Sequence, residues 1–431
     1  MSLFEIRTSL TQRRKFIWLS LFLLPVAWQL WVWPYAGLAD NGDFVKVAGR
    51  FGLSAMDPVG QKTFHFFERI WHKDVNTLWV SPYWGVEVWL AQLVVGIAPT
   101  NPFDIRWLGL LHACIFGVFA WLIIGKRPIP NLFAILAFTD AAYVTYFQSF
   151  YFDTASLLFL LVFFAAWLRG ATIPLAVAGL GFALSKGPHA PAALLLSALL
   201  LAQRRWSFAP AALALLIGGG YMLSQTRDEY KATAYYNLAF SKLGLLDPDA
   251  LDALKIRLED RKLLGTNAFE SQSPAQSEIW LKGFFPNGGY RNALVYYALH
   301  PGIAAHVLYS DLANEASQIR AVNLGNYERS SGVRYCTLST SFGWWSAAKS
   351  WLFRVAPWHV FLLVPFAFLV AWREPALRWP LIGVMGVGGY EFAIASLADA
   401  CETYRHLLLF HVCFDLLLFL AFTQLQRDSQ L

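Results

Sequence analysis

The stretch Leu38-Ala39-Asp40-Asn41-Gly42-Asp43 (LADNGD) lies just beyond the first long apolar run of the chain, Phe16 to Pro34. It places two carboxylates against one membrane surface. A carboxylate near hydrocarbon is costly unless it is solvated or compensated by a cation, so this pair is a candidate functional feature. Gly42 permits a backbone turn that a Cβ would obstruct. The alternative is that Asp43 only caps a helix predicted over Phe44 to Phe51.

The composition identifies the class of protein. Of the 431 residues 57% are hydrophobic, 16% aromatic and only 14% charged, and the mean hydropathy is +0.44. Such a chain is too apolar for a soluble globular protein and is typical of a polytopic membrane protein. The net charge of +6 is explained by basic anchors on one membrane side, so it does not indicate a nucleic-acid partner.

The apolar runs predict an all-α bundle of about ten transmembrane helices, with both chain ends in the cytoplasm. The stretch Trp84 to Ala98 decides the topology, because it is short for a membrane span. If it crosses the membrane, Lys126 and Arg127 fall outside. If it lies flat in the interface, they and every later basic loop fall inside. We favour the flat arrangement, because it puts all short basic loops on one side.

This layout predicts that the chain consists of three segments. Residues 1–224 form an N-terminal transmembrane module, in which the first external loop (35–104) carries interfacial helices. Residues 225–350 lack a convincing span and are predicted to form a small α-rich external domain. Residues 351–431 contain the C-terminal transmembrane helices.

The predicted topology gathers acidic and basic residues from four separate loops at the outer surface. They are Asp40, Asp43, Asp153, Lys186, His189, Asp399, Glu402, Arg405 and His406. The cytoplasmic loops carry only positive anchors. Each residue also has an ordinary explanation, since Asp153 could cap a helix, while Lys186 and Arg405 could extend to lipid headgroups. We predict instead that Asp43, Asp153, Lys186 and Arg405 line one cavity.

These groups suit transfer of a sugar from a membrane-anchored phosphate. A carboxylate can take the proton of an acceptor hydroxyl as its oxygen attacks the anomeric carbon with inversion. Lys186, His189, Arg405 and His406 are candidates to hold the donor phosphate. Glu87 and Glu402 are candidate acceptor or metal contacts. A divalent cation, Mg²⁺ or Mn²⁺, held by Asp40, Asp153 or His189 is the candidate cofactor.

Four motifs carry a resemblance to a known family. They are ADNGD (39–43), SPYWGVEVWLAQLVVG (81–96), YFDTASLL (151–158) and YRHLLLF (404–410). Together they resemble the GT-C superfamily of polyprenyl-phosphate-dependent glycosyltransferases. Residues 235–265, 299–301 and 324–327 further resemble bacterial glycan-biosynthesis hexosyltransferases of that fold.

The resemblance implies a polyprenyl-phosphate-linked sugar donor, a glycan, glycolipid or protein acceptor, and a site facing the periplasm or exterior of the bacterial inner membrane. It implies Asp43 or Asp40 as the base, Asp153 as an acid that orients the acceptor or a metal, and Arg405 as a phosphate ligand. Between the two first-loop acids we favour Asp43, because the turn at Gly42 could aim it inward. The first loop departs from the family pattern in lacking an Asp-Asp or Asp-Glu doublet, so the resemblance leaves metal dependence open.

The alternative function is a transporter or flippase for a lipid-linked saccharide. A transporter is expected to place ionisable residues near the middle of the membrane as well as at one face. Glu391 and Asp415 are the conspicuous charges in the apolar runs. Cys336 and Cys401 are candidates for a disulfide if they face an oxidising compartment together.

Overall fold

The long apolar runs of the sequence fold as helices, because a backbone placed in hydrocarbon must satisfy its hydrogen bonds within its own segment. The computed structural model describes residues 3–55, 65–226, 228–270, 273–277, 280 and 289–428. The chain is 70% helical. The all-α prediction is therefore confirmed in its coarser form, that of a mostly helical chain.

The α-helices are numbered here in chain order. They are α1 (Leu3–Trp31), α2 (Val45–Ala48), α3 (Val86–Ile97), α4 (Arg106–Ile123), α5 (Pro128–Phe138), α6 (Ala141–Val144), α7 (Phe152–Arg169), α8 (Thr172–Ala183), α9 (Ala190–Ala202), α10 (Ala209–Gln225), α11 (Asp228–Tyr236), α12 (Gly244–Leu246), α13 (Ala250–Ala253), α14 (Tyr290–Leu299), α15 (Pro301–Ala313), α16 (Trp344–Val355), α17 (His359–Arg373), α18 (Pro375–Leu397), α19 (Thr403–His406) and α20 (Leu408–Asp428).

Short helical turns connect many of these elements. A π-helical segment, Asn237–Leu243, joins α11 to α12. The 3₁₀ turns are Gly49–Phe51, Val75–Thr77, Thr145–Gln148, Gly187–His189, Trp206–Phe208, Leu258–Leu263, Pro274–Gln276 and Arg329–Ser331.

Four helices of the described chain are long and apolar enough to cross a membrane. They are α4, α7, α18 and α10 together with the turn before it, and the bent pair α16 and α17, which meet at 106°, would make a fifth span. Several other apolar helices have only 10–17 residues. At 1.5 Å per residue such helices are short for a hydrocarbon core of about 30 Å. The arrangement of about ten spans therefore stays a prediction.

Helix α7 is the centre of the bundle. In this helix 83% of the residues are buried, against 39% in α4. Its sequence is apolar on every face, which is typical of a helix surrounded by other helices. It packs against α3, α4, α8, α18 and α20. Because α7 begins at Phe152, the first turn of this central helix carries Asp153.

The all-α prediction is wrong for the first external loop. Three short strands, β1 (Leu53–Ala55), β2 (Ile70–Lys73) and β3 (Phe103–Asp104), form an antiparallel sheet in the order β1-β2-β3. The register pairs Ser54 with His72 and Trp71 with Phe103. We predicted interfacial helices here from the mixed aromatic and basic residues. Trp71 of β2 is instead buried between the half-buried Ile70 and His72, and these neighbours point to the opposite face of the strand.

Residues 325–328 dock against the first loop, and they belong to the stretch 225–350 that is predicted to be external and is called the external segment below. The amides of Gly37 and Ala39 donate to the carbonyls of Asn326 and Gly325 at 2.9 Å. A Cβ on Gly325 would lie 2.0 Å from the carbonyl oxygen of His65, so only glycine permits this approach. The first loop is thus fixed by a segment nearly 290 residues away in the chain.

The rest of the external segment has a hydrophobic core of its own. Tyr235, Tyr236 and Phe240 pack with Trp280 and Tyr296 in a buried cluster separate from the core of the bundle. Leu397, the last residue of α18, packs against this cluster. The helices α11 to α15 are therefore attached to the end of the bundle at which α18 finishes.

Candidate active site

The first-loop turn is held by Asp40. Its Oδ1 accepts hydrogen bonds from the amides of Gly42 at 2.7 Å and Phe44 at 3.0 Å. Gly42 has φ of +100°, a conformation that favours glycine, as predicted. Burial raises the pKa of Asp40 to about 6, although these amide bonds oppose the shift. The interpretation that Asp43 caps the next helix is wrong, because α2 has no side-chain cap.

Asp43 is consequently available to bind cations. Its Oδ1 lies 2.5 Å from Lys46 Nζ and its Oδ2 lies 3.2 Å from Arg405 Nη1. Burial alone would raise the pKa of Asp43, but the charges of Lys46, Arg405 and Lys186 outweigh it and lower the pKa to about 2. Unlike Asp40, Asp43 is therefore a carboxylate that its neighbours keep ionised.

Arg405 joins the first loop to the segment that precedes α20. Its Nη2 lies 3.1 Å from Glu402 Oε2, and its guanidinium carbon lies 5.4 Å from the ring centre of Tyr151. Burial opposes the charge, but Asp43 and Glu402 hold the pKa of Arg405 above its ordinary value. Its Nε is buried and has no hydrogen-bond partner within the described residues. With only 9% of its side chain exposed, Arg405 does not extend to lipid headgroups.

Glu402 is held in place by amide side chains. Its two carboxylate oxygens accept from Asn41 Nδ2 at 3.1 Å and from Asn323 Nδ2 at 2.9 Å. Tyr404 in turn donates its hydroxyl proton to Asn323 Oδ1 at 2.8 Å. Both oxygens of Glu402 are thus engaged, and its observed contacts orient Arg405.

A second acid–base pair lies at the start of the central helix. Asp153 Oδ1 accepts from Lys186 Nζ at 2.9 Å, and the two residues are only 8% and 7% exposed. Asp153 occupies the first turn of α7, whose N-cap is Tyr151, so it is not the cap residue. Lys186 lies in the α8–α9 connection and is buried, so it does not reach towards lipid headgroups.

A third pair connects the α8–α9 connection to α18. His189 Nδ1 lies 2.9 Å from Glu391 Oε1 and 3.0 Å from Oε2. Both residues are buried. His189 Nε2 has no hydrogen-bond partner among the described residues. A histidine whose Nδ1–H is donated to a carboxylate keeps Nε2 for a ligand.

A fourth acid–base pair lies between the end of α18 and the end of α19. His406 Nε2 lies 3.4 Å from Asp399 Oδ2. Burial lowers the pKa of His406, the Asp399 carboxylate opposes this, and the positive charges of Lys186 and Arg405 add to the lowering. We call these eight residues the ionic cluster: Asp43, Arg405, Asp153, Lys186, His189, Glu391, Asp399 and His406.

Six members of the ionic cluster line a cavity of about 290 Å³. Asp43 and Arg405 are not among the lining residues, so the prediction that four named residues line one cavity is wrong in part. Asp43 and Arg405 are paired with each other next to the cavity. Their charges interact with those of Lys186 and Asp153, which line it. The external segment contributes Lys231 from α11 and Tyr290 from α14 to the cavity wall.

Sequence reasoning missed several of these contributions. Lys231, Tyr290 and Asn323 lie in the external segment, where no pattern distinguishes them from ordinary loop and helix residues. The sequence indicates a Tyr or Lys partner or a proton path for the embedded Glu391, whereas the structure pairs it with His189, 202 residues away. A charged residue in an apolar run was the available signal for it.

Glu87 lies apart from the ionic cluster. Its Oε1 is 3.1 Å from His112 Nε2, and both side chains are fully buried between α3 and α4. His112 Nδ1 contacts the carbonyl oxygen of Phe147 at 2.8 Å. Nothing in this position supports the predicted acceptor or metal contact for Glu87.

The described residues contain no group of three or more His, Cys, Asp or Glu side chains placed to hold a metal ion. The predicted ligands are engaged elsewhere: Asp40 with loop amides, Asp153 with Lys186 and His189 with Glu391. The donor set therefore does not fit a divalent cation. Cys336 and Cys401 are free thiols and are not joined in a disulfide.

Comparison with known proteins identifies a family for the chain. The family model described as the YfdI N-terminal transmembrane domain matches residues 7–430, nearly the whole chain. No curated protein and no solved structure matches the chain.

Proposed function

Because the chain belongs to the family of the YfdI N-terminal transmembrane domain, we propose that it is a GT-C-type membrane glycosyltransferase. It moves a hexose from a polyprenyl-phosphate donor to a glycan, glycolipid or protein acceptor. The site faces the outside of the bacterial inner membrane, at one end of a bundle of about ten transmembrane helices. The observation that carries the proposal is the ionic cluster, in which cations suited to a phosphate are paired with carboxylates beside a cavity.

The cations are the proposed donor site. Lys186 and His189 line the cavity, and Arg405 lies next to it with one buried N–H that has no partner among the described residues. A guanidinium binds phosphate oxygens in a fork, and an ammonium contributes a point charge. His406 adds a donor when it is protonated. The donor's phosphate then competes with Asp43 for Arg405.

This competition activates the base. In the free protein Lys46, Arg405 and Lys186 hold the pKa of Asp43 at about 2, too low for an efficient base near neutral pH. When a phosphate takes Arg405 and Lys186, Asp43 loses part of that stabilisation and its pKa rises. Proton abstraction is thereby coupled to the presence of the donor.

The transfer itself is a single displacement. The acceptor hydroxyl oxygen attacks the anomeric carbon of the sugar, and the bond between that carbon and the phosphate oxygen breaks. The electron pair leaves with polyprenyl phosphate, whose growing charge is stabilised by the cations. Asp43 takes the hydroxyl proton. Attack from the face opposite the phosphate inverts the anomeric centre.

The remaining acids position these groups. Asp153 orients Lys186, Glu391 orients His189, and Glu402 orients Arg405. Asp40 maintains the turn that presents Asp43. No step in this proposal passes through a metal ion.

A transporter of lipid-linked saccharides is the alternative. The charges embedded in the bundle are engaged with one another, since Asp415 contacts Lys349 at 2.7 Å and Trp345 at 2.9 Å and also binds Tyr143. Such a satisfied network is typical of structure and supplies no evident relay between the two membrane faces.

The test is transfer by the purified chain in nanodiscs that contain a polyprenyl-phosphate hexose. We expect Asp43→Asn to lower transfer at least about 100-fold, the usual effect of losing a general base, while donor binding is retained or strengthened. Asp249→Asn, in the exposed part of the external segment, is the matched control and should be unaffected. Unchanged transfer in Asp43→Asn would contradict the assignment, and movement of the intact donor across the bilayer of proteoliposomes without transfer would favour the transporter.

A further inference from the structure

A second cavity of about 290 Å³ lies at the opposite end of the bundle from the ionic cluster. Helix α7 shows the separation, because it begins beside Asp153 and ends at Arg169, which lines this second cavity. Its 18 residues span about 27 Å at the rise of an α-helix. The two cavities therefore open near opposite surfaces of a membrane.

Three cations line this second cavity, which we call the basic pocket. They come from two places in the chain: Lys126 and Arg127 from the α4–α5 connection, and Arg169 from the end of α7. Among the residues that the structure describes, none that lines the pocket is acidic. Within the part of the chain that the structure describes, none of the three forms an ion pair.

The two arginines are fixed by backbone carbonyls. Arg169 donates from Nε to Leu122 O at 2.6 Å and from Nη2 to Ile124 O at 2.8 Å. Arg127 donates from Nη1 to the carbonyl of Thr423 in α20. These bonds hold both guanidinium groups in place, and the remaining N–H groups of each can donate to a ligand. Lys126 is exposed and has no hydrogen-bond acceptor among the described residues.

The walls of the basic pocket are apolar. Leu122, Leu168, Leu377, Phe419 and Leu420, from several stretches of the helix bundle and its ends, line it together with the cations. The ligand must therefore combine negative charge with a hydrocarbon part. The basic pocket lies at the ends of α4 and α7, two helices that qualify as membrane spans. The ends of membrane spans are at the depth of the lipid headgroups.

Residues next to the basic pocket also indicate that it lies at the depth of the lipid headgroups. Trp121, close to the pocket on α4, is partly exposed, and Lys15 Nζ lies 3.6 Å from its ring centre. Tryptophan and basic residues concentrate where hydrocarbon meets headgroups. Lys15 and Arg169 are also close enough for their charges to act on each other.

We infer that the basic pocket binds an anionic phospholipid of the leaflet opposite the proposed active site. The phosphodiester lies between Lys126, Arg127 and Arg169, and an acyl chain follows the apolar wall. Basic pockets between transmembrane helices are suited to such headgroups. One bound lipid would connect the α4–α5 connection, the end of α7 and α20. This site does not depend on the proposed catalytic activity.

The experiment measures lipids retained by the full-length chain in native mass spectrometry. The chain is extracted from nanodiscs of phosphatidylcholine mixed with phosphatidylglycerol. We expect selective retention of one phosphatidylglycerol. Each basic residue near an anionic membrane surface contributes about 1 kcal/mol, or about 5-fold in affinity. Lys126→Gln should therefore weaken retention about 5-fold, and Lys126→Gln combined with Arg127→Gln about 25-fold. Arg205→Gln, which removes an exposed charge outside the pocket, should have no effect.

A second arm uses inorganic phosphate with nanodiscs of phosphatidylcholine alone. Retention of phosphate under these conditions would identify a soluble anion as the ligand and overturn the lipid assignment. Equal retention of the two phospholipids, or retention that Lys126→Gln leaves unchanged, would also overturn it. Lys126→Gln breaks no hydrogen bond or ion pair among the described residues, so its fold should be intact. Its thermal unfolding without anionic lipid should match that of the unaltered chain.

Discussion

Arg405 Nη1 and Asp43 Oδ2 lie 3.2 Å apart although 362 positions separate the two residues in the sequence. The contact ties the first external loop to the segment before the last helix. Glu402 contacts the same guanidinium at 3.1 Å through Nη2, so both terminal nitrogens are engaged by carboxylates. A phosphate that enters this site must replace or share these carboxylates.

Replacing Arg405 with lysine keeps the charge but removes the fork. Lysine cannot contact Asp43 and Glu402 with the same fixed geometry, and it binds phosphate less specifically. We expect Arg405→Lys to raise the KM for a polyprenyl-phosphate hexose about 10-fold, with a smaller change in kcat. Steady-state transfer kinetics measure this, with exposed Arg378→Lys as control. An unchanged KM would remove Arg405 from the donor site.

The pH dependence of kcat/KM distinguishes the two first-loop acids. Asp43, with its pKa lowered to about 2, stays ionised in the free enzyme well below neutral pH. Asp40, with its pKa raised to about 6, becomes protonated below that value. If Asp43 is the base, Asp40→Asn should leave the profile between about pH 5 and about pH 7 almost unchanged. A roughly tenfold fall per pH unit below about pH 6 that disappears with Asp40→Asn would identify Asp40 instead.

The raised pKa of Asp40 also predicts how substitutions at this position change the stability of the fold. Its pKa is raised from 3.8 to about 6 in the folded chain, so its favourable contribution is present below pH 3.8 and is lost as the pH rises through about 6. An asparagine side chain at this position can still accept the amide bonds of Gly42 and Phe44 without bearing charge. At neutral pH, Asp40→Asn should therefore unfold at an equal or higher temperature than the unaltered chain, whereas Asp40→Ala should unfold lower. Thermal unfolding in detergent checks both.

The buried Asp153–Lys186 pair should show strong coupling. Removing one partner leaves an uncompensated charge, which typically costs about 3–5 kcal/mol. We expect Asp153→Asn and Lys186→Met each to lower the unfolding temperature, and the double variant to be more stable than either single variant. All three should lose transfer activity. Additive losses of stability would mean that the two charges do not depend on each other.

Glu391 is predicted to act through His189 as a positioning residue. Glutamine can still accept the Nδ1–H bond but provides no negative charge for an imidazolium. Glu391→Gln should raise the donor KM about 10-fold, with a smaller change in kcat, because the imidazole is less firmly oriented towards the donor. The control is Glu259→Gln, whose side chain is 67% exposed. A fall in kcat with an unchanged donor KM would indicate a merely structural role.

Gly325 tests the docking of the external segment on the first loop. An alanine Cβ would lie 2.0 Å from the carbonyl oxygen of His65, so the backbone must move. We expect Gly325→Ala to destabilise the chain by about 2–4 kcal/mol and to lower transfer, because the first loop carries Asp43. Gly302→Ala, in α15, has nothing within 4 Å of the added Cβ and should be neutral or stabilising. Similar unfolding temperatures for the two variants would contradict this account.

The sequence by itself determined the class of the protein and one local detail of the site. Composition identifies a membrane protein, because hydrophobicity is summed over residues and needs no knowledge of contacts. The ADNGD motif predicts its turn, because Gly42 and the short acidic and amide side chains act within four residues of one another. The gathering of acids and bases from separate loops was predicted in outline from topology.

Only the tertiary structure decided which of these groups meet. Asp40 holds the loop and Asp43 meets Arg405, although the two aspartates have almost the same local sequence context. Glu391 joins the ionic cluster and Glu87 does not, although both interrupt apolar runs. The physical reason is range: periodicity and turn chemistry act between near neighbours, whereas ion pairs form between side chains that helix packing brings together from hundreds of residues apart.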